Sequence, residues 1–369
     1  MAVTWKRVIS SGGGLCVSRL SCYIPSLQLC SSRGKHSVPW YLEHLSAQDK
    51  ARIVRMSGSR EDRGSILSNP GVTNVSKLSR EDLCKHLAQN VIYREGPLVA
   101  ISKPQGLTIL GSPEEEVSLV SVLPDLQDLL QVKSELHVVR AAPKESSGLV
   151  LLSSCHVTTK HFEDFYMNCR KAHRSFMTFC AVTLGVPSPA EGEVSVAVKE
   201  KEIAGQILTI PVWDPSKGSL ERREVKKTGT FYEVLASRHG CSLLQLQPTT
   251  VFRDQLLVHC TLKFCPVLGD HKYSSRVAKI LGKDIYVPLE IAVPKTQVVD
   301  KKILQKMNFS SQLVHLMPLH LHLQRLLMPH DPPGKYPALL EAPPPPFFQR
   351  TVELLGLKTD SPSSKMFIL

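Results

Sequence analysis

Apolar residues along this chain follow two periods. Leu149, Val150, Leu151 and Leu152 run unbroken behind the polar turn Ser146, Ser147 and Gly148, which predicts a buried strand. Residues 230–235 and 241–247 alternate apolar and polar positions across 237–240, the pattern of a β-hairpin. Helical spacing occurs elsewhere. Ser79 followed by Asp82 reads as a capping start, and Leu83, Leu87 and Val91 are spaced to line one face of a short helix. A strand is expected near 98–102. Leu119, Val122, Leu123, Leu126, Leu129 and Leu130 recur at helical intervals within 118–132, where Pro124 is expected to divide the helix, and 161–169 reads as a second amphipathic helix. Antiparallel strands mixed with helices predict an α+β fold.

Composition sets the domain limits. Residues 1–42 carry Lys6, Arg7, Arg19, Arg33 and Lys35 with many serines and no Asp or Glu, as a mitochondrial presequence requires. Residues 43–78 are polar and Ser/Gly-rich and read as a flexible linker. One folded domain is expected over 79–357, and a frayed tail over 358–369. The run Pro343–Pro346 before Phe347 could bind a partner as polyproline, but its place suggests that it caps the sheet.

The net charge of +12 favours a polyanionic partner, chiefly nucleic acid. No apolar run approaches the roughly 20 residues of a membrane span. Outside the first 42 residues the cysteines form no CxxC pair and no Cys/His finger spacing, so free thiols are expected rather than zinc or disulfides. Neither a Walker loop, GxGxxG nor a metal cluster occurs in the sequence, so an unrelated small-molecule enzyme has little support.

Seven short blocks then follow one another: ISKPQGL at 101–107, VVRAAPKESSGLVLLS at 138–153, FCAVTLG at 179–185, DQLLVH at 254–259, CPVLGDHKY at 265–273, LHLH at 319–322 and LEAPPPPFF at 340–348. They resemble, in order, the NKPxGL, HRLDxxTSGLLLLA, YxAxVxG, HQIRVH, HPIxGDxxYG, LHA and EAPLPxDF blocks of the RluA-type pseudouridine synthases. The resemblance covers roughly residues 91–355. It implies the α+β pseudouridine synthase fold with a central RNA cleft, and a reaction that breaks a uridine glycosidic bond and rejoins the base through C5 without metal or cofactor.

The family pocket holds an Asp that attacks or stabilises, a Tyr against the flipped base, and an Arg paired with the Asp. In this chain those positions are Pro143, Phe179 and Leu257. Proline offers no nucleophile, phenylalanine keeps only the stacking face, and leucine carries no charge. The losses are coupled physically: deleting the Asp alone would leave a buried guanidinium unpaired, at a cost on the order of 3 to 5 kcal/mol, whereas losing both partners can be neutral. Asp254, where the family has His, is a candidate substitute carboxylate. Glu145 is expected to be structural, and His259 and Asp270 to be hydrogen-bonded supports. The RNA-facing candidates implied by position and charge are Lys103, Arg140, Lys144 and Lys272.

Two functions are therefore expected. The first is a mitochondrial matrix synthase acting on messenger or ribosomal RNA and supporting translation. The second is an inactive RNA-binding scaffold in RNA processing or ribosome assembly. RNA is the partner in both, with other mitochondrial RNA-processing proteins as further partners.

Overall fold

The computed structural model describes residues 65–67, 71–111, 117–203, 205–288, 292–329 and 338–358. The expected presequence and all but Lys358 of the expected tail lie outside them.

Ser79 accepts a hydrogen bond from Asp82 N at 3.1 Å and caps α1 (Arg80–Gln89), whose Leu83 and Leu87 are fully buried. The helix ends at Asn90, so Val91 belongs to β1 (Val91–Glu95) and not to the helical face that its spacing suggested. Strand β1 turns at Gly96 into β2 (Leu98–Lys103). A second helix, α2 (Leu119–Leu129), runs through Pro124 undivided. A reciprocal Ser118/Ser121 capping box starts it, and Leu119, Val122, Leu123 and Leu126 bury one face. Packing of that face outweighs the one backbone bond that the proline cannot make.

Strands β3 (His137–Ala141) and β4 (Ser147–Ser153) follow, then α3 (His156–Lys171), longer at both ends than its amphipathic middle. Next come β5 (Met177–Leu184), β6 (Glu191–Ile203), β7 (Gln206–Val212), the short α4 (Lys217–Glu221), β8 (Lys226–Arg238) and β9 (Cys241–Pro248). The expected hairpin is β8–β9, closed by His239 and Gly240 at φ +56° and +76°, a two-residue turn of the kind that suits strand twist. Helix α5 (Gln255–Leu262), the small hairpin β10 (Val277–Ile280) and β11 (Lys283–Tyr286), α6 (Lys301–Lys306), β12 (Leu321–Leu327), β13 (Leu339–Glu341) and α7 (Pro346–Leu355) complete the chain.

The main sheet has the order β1-β2-β4-β12-β5-β9-β8-β6-β7, with β3 added to β4 and β13 to β12. Among the described strands, only the β4–β12 pairing is parallel. Strand β4 shows why its apolar run is unbroken. Successive side chains point to opposite faces, so Leu149 and Leu151 pack with Phe162 and Tyr166 of α3, while Val150 and Leu152 pack with Leu83, Leu87, Val122 and Leu126 of α1 and α2. Farther along the sheet, Cys180, Val182 and Leu243 meet α6 and α7 instead.

Two expectations about the flanks resolve differently. Pro346 sits in the first turn of α7, where a missing N–H costs nothing, and Phe347 and Phe348 are buried, so the proline run leads into a packed helix. Within the expected linker, Ile66 is fully buried in the cluster that holds Met307, Phe347 and Leu357. A single apolar anchor among polar neighbours is invisible to a compositional reading.

Candidate active site and RNA-facing residues

The signature loop joins β3 to β4. Pro143, Lys144 and Glu145 are exposed, and Ser146 N donates back to Pro143 O at 3.2 Å to close the turn. The Ser-Gly pair behind them is structural. Ser147 Oγ meets His322 Nδ1 at 2.9 Å, and His322 Nε2 lies 3.1 Å from Ala342 O. Since a carbonyl only accepts, Nε2 carries the proton, and Nδ1 accepts from Ser147. Gly148, at φ +122°, lies directly beside Leu323: a Cβ there would fall 2.3 Å from the Leu323 carbonyl oxygen. These contacts hold β4 against β12 and so fix where the turn at Pro143 is presented.

Lys103, an RNA-facing candidate by position and charge, is instead buried. Its side chain is 1 % exposed, and Nζ donates to Pro104 O, Leu107 O, Lys144 O and Ser146 O at 3.1, 3.1, 3.3 and 2.9 Å. It therefore staples the 103–107 loop to the signature turn from inside. Burial pushes its pKa down to about 7, against the pull of nearby Glu145. Replacing it by Met should lower stability by roughly 2 to 4 kcal/mol, since buried carbonyls lose their donor. Denaturant unfolding measures this, and a loss below about 0.5 kcal/mol would contradict the staple.

Arg140 is half-buried on β3, with its guanidinium 5.2 Å from the Tyr166 ring and 5.3 Å from Phe176. Those rings stack on each other at 4.7 Å. Its cation thus faces an aromatic pair within the fold. This contact is not legible in the sequence, because Tyr166 belongs to α3 and only the topology brings it to β3. Lys144 stays on the exposed turn beside Pro143.

The other two positions that the resemblance implies are both buried and apolar. Phe179, 3 % exposed on β5, is registered between Leu246 of β9 and Leu323 of β12. Leu257, 7 % exposed in the first turn of α5, belongs to the same apolar cluster. No charged partner is needed there. Helix α5 is held by Gln255, which donates to Gly229 O and Thr230 Oγ1, and by His259, whose ring nitrogens meet Thr228 and Thr230 hydroxyls at 3.0 and 2.9 Å. Burial lowers the His259 pKa to about 4, so the ring is neutral.

Asp254 is where polar chemistry gathers. It precedes α5 with φ +52°, a left-handed backbone that Asp tolerates better than most residues. Its Oδ2 forms an ion pair with Lys272 Nζ and accepts from Tyr273 OH at 2.7 Å, and Arg253 Nε stands 4.0 Å away. Tyr273 OH in turn accepts from Thr209 N at 3.0 Å. Thus two sequence-predicted residues, Asp254 and Lys272, meet each other, and the Lys272 cation is neutralised by a carboxylate.

Asp270 supports this group: its Oδ1 accepts from Lys272 N and Tyr273 N, both at 2.9 Å. Burial pushes its pKa up to about 6 against those two bonds. Arg276 is fully buried, its guanidinium 5.0 Å from the Tyr273 ring and Nη1 donating to Tyr286 OH at 3.1 Å. Nothing in the sequence separates it from solvated basic residues. Among the described residues, no His, Cys, Asp and Glu side chains group to hold a metal ion, and no helix is long and apolar enough to cross a membrane.

Comparison with known proteins settles the family. No protein-family model matches the chain. It is 45 % identical over 303 residues to the human mitochondrial mRNA pseudouridine synthase RPUSD3, an alignment covering 82 % of this chain and 86 % of the relative. The chain belongs to the RluA-like pseudouridine synthase family. More distant members agree, such as the bovine mitochondrial pseudouridylate synthase RPUSD4 at 28 % identity over 97 % of this chain and 93 % of the relative. Among solved structures, human RNA pseudouridylate synthase domain containing 4 matches with a TM-score of 0.59 and 25 % identity, covering 75 % of this chain and 97 % of that one. The large mixed sheet with flanking helices is this family's α+β fold.

Proposed function

We propose that the protein acts on RNA in the mitochondrial matrix, isomerising uridine to pseudouridine in messenger or ribosomal RNA and so supporting mitochondrial translation. The 45 % identity to a human relative named as a mitochondrial mRNA pseudouridine synthase carries this reading. The chemistry requires a carboxylate near the ribose C1′, with a cation and a hydroxyl beside it to hold it in place. With Pro143, Phe179 and Leu257 at the family positions, the reading assigns these roles to Asp254, Lys272 and Tyr273, which touch one another. The carboxylate stabilises or attacks C1′ as the N1 bond breaks and uracil leaves with that electron pair. The base turns, and C5 joins C1′ as any carboxylate bond is released. The C5 proton departs to solvent while N1 takes one up.

A second reading is favoured by one specific observation: none of the three family pocket positions bears a polar group. In that reading the chain clamps RNA and assembles other RNA-processing or ribosome-assembly factors without turnover. A tritium-release assay on 5-tritiated uridine RNA separates them, because each isomerisation sends the C5 hydrogen to water. Release by the purified wild-type chain is the expected result. Tight RNA binding without release would establish the scaffold instead.

A further inference from the structure

We propose that Trp213, Lys226, Phe252 and Arg253 form a strip that holds an unpaired RNA segment leading to the Asp254 cluster. The inference rests on the RNA-directed reading above and adds where, and by what contacts, the strand beyond the target nucleotide is held.

Trp213 follows directly on β7, the edge strand of the main sheet, and is 71 % exposed. An indole left in water at a sheet edge has no packing role to explain it. The strand register tells what lies beside it. Pro211 of β7 pairs with Val198 of β6, and Val198 pairs with Lys226 of β8; Val212 and Ala197 lead in the same way to Lys227. Two strand spacings put Lys226 on the order of 10 Å across the sheet from Pro211, itself two residues from the indole.

From Lys226 the strip continues. Its Nζ stands 5.5 Å from the Phe252 ring centroid. The next residue, Arg253, has a side chain that is 51 % exposed, and its carbonyl accepts from Thr209 Oγ1 at 2.8 Å, which fastens this loop to β7. Asp254 comes immediately after. The sequence of groups is therefore indole, ammonium, phenyl, guanidinium and then the candidate catalytic cluster.

Charge identifies the occupant. Residues 213–227 carry Lys217, Arg222, Arg223, Lys226 and Lys227 against Asp214, Glu221 and Glu224, and Glu224 is paired with Arg222 at 2.7 Å. Aromatic faces interleaved with cations match bases stacking while phosphates are neutralised, and this arrangement needs unpaired bases. A protein partner would instead want a continuous apolar patch, whereas Pro211 and Val212 are half-buried here. Stacking needs no base-edge contacts, so the strip holds RNA of varied sequence.

The test measures affinity of the full chain for a uridine oligonucleotide by fluorescence anisotropy across salt concentrations. Trp213→Ala should weaken binding about 10-fold, within the range found when a base loses its stacking partner, without changing the salt slope. Trp213→Phe should stay within about 3-fold of wild type. Lys226→Met should lower the log–log salt slope by about 0.7, the effect of losing one phosphate contact to a single strand. Trp213→Ala binding as tightly as a wild type that does bind RNA would overturn the strip and leave the RNA-directed reading standing. A wild type that binds no RNA would overturn both.

Discussion

Gly148→Ala is expected to cost more than about 4 kcal/mol, enough to prevent accumulation of the folded chain. The residue sits at φ +122°, a conformation that L side chains rarely adopt, and its Cβ would lie 2.3 Å from Leu323 O and 2.7 Å from Leu323 N. Nothing there is a flexible side-chain end that can move aside. The obstacle is the backbone of β12, to which β4 is joined by the parallel pairing Leu323↔Gly148. Relief would require separating two central strands. Gly106 provides the comparison: it has φ +85° but open space around the position, so Gly106→Ala should cost only about 1 to 2 kcal/mol of backbone strain. Denaturant unfolding of the two variants tests the account. Equal losses would show that the Leu323 backbone is not the constraint.

Acidification should be nearly as damaging. Burial holds His259, His271, His320 and His322 each near a pKa of about 4, against an ordinary value of 6.5. The hydrogen bonds show why these rings resist charging. His271 Nδ1 accepts from Gln297 N at 3.1 Å while Nε2 faces Met317 O at 3.2 Å, so a second ring proton would point at a donor. His322 lies between the Ser147 hydroxyl and the Ala342 carbonyl, and there burial is what disfavours the charged ring.

A group whose pKa is depressed in the folded state binds fewer protons there than when unfolded, and stability falls as pH drops below 6.5 until about 4. Between pH 7.5 and 5.5 each histidine contributes a loss of about 1.4 kcal/mol, and the four together roughly 5 kcal/mol. Two other buried groups act over the same range in opposite senses. Asp270, raised to about 6, gains stability on acidification, and Lys103, lowered to about 7, loses it. Their contributions are each on the order of 0.8 kcal/mol and nearly cancel. Unfolding free energies at the two pH values check the sum; a difference under about 1 kcal/mol would mean that these rings are not held neutral.

Much of the framework was legible because local pattern and packing agree in it. The run Leu149 to Leu152 announced a buried strand, and the Ser79 cap and the β8–β9 turn needed only neighbouring residues. The failures share one physical cause, that contacts between distant segments override local spacing. Val91 continues a helical series but pairs as a strand. Pro124 breaks a backbone bond but not a helix with one packed face. Ile66 looks like part of a polar linker until the α7 cluster is seen to cover it.

For the site, the resemblance names Pro143, Phe179 and Leu257 at the family's pocket positions, a reading that depends only on which residue occupies each block. It misjudged the cations. Lys103 and Lys144 are equally basic in sequence, yet one is sealed inside against four carbonyls and the other stands on an exposed turn. Lys272 and Asp254 have separate roles in the sequence reading, and a separation of 18 positions along the chain conceals that they form one ion pair.

That pair is where the account is most exposed to experiment. The direct measurement is tritium release from 5-tritiated uridine RNA by Asp254→Ala beside the wild-type chain, with RNA affinity recorded for both. The account predicts release by the wild type and its loss in Asp254→Ala at nearly unchanged affinity. Full release by Asp254→Ala, or none by a wild type that binds RNA tightly, would contradict it.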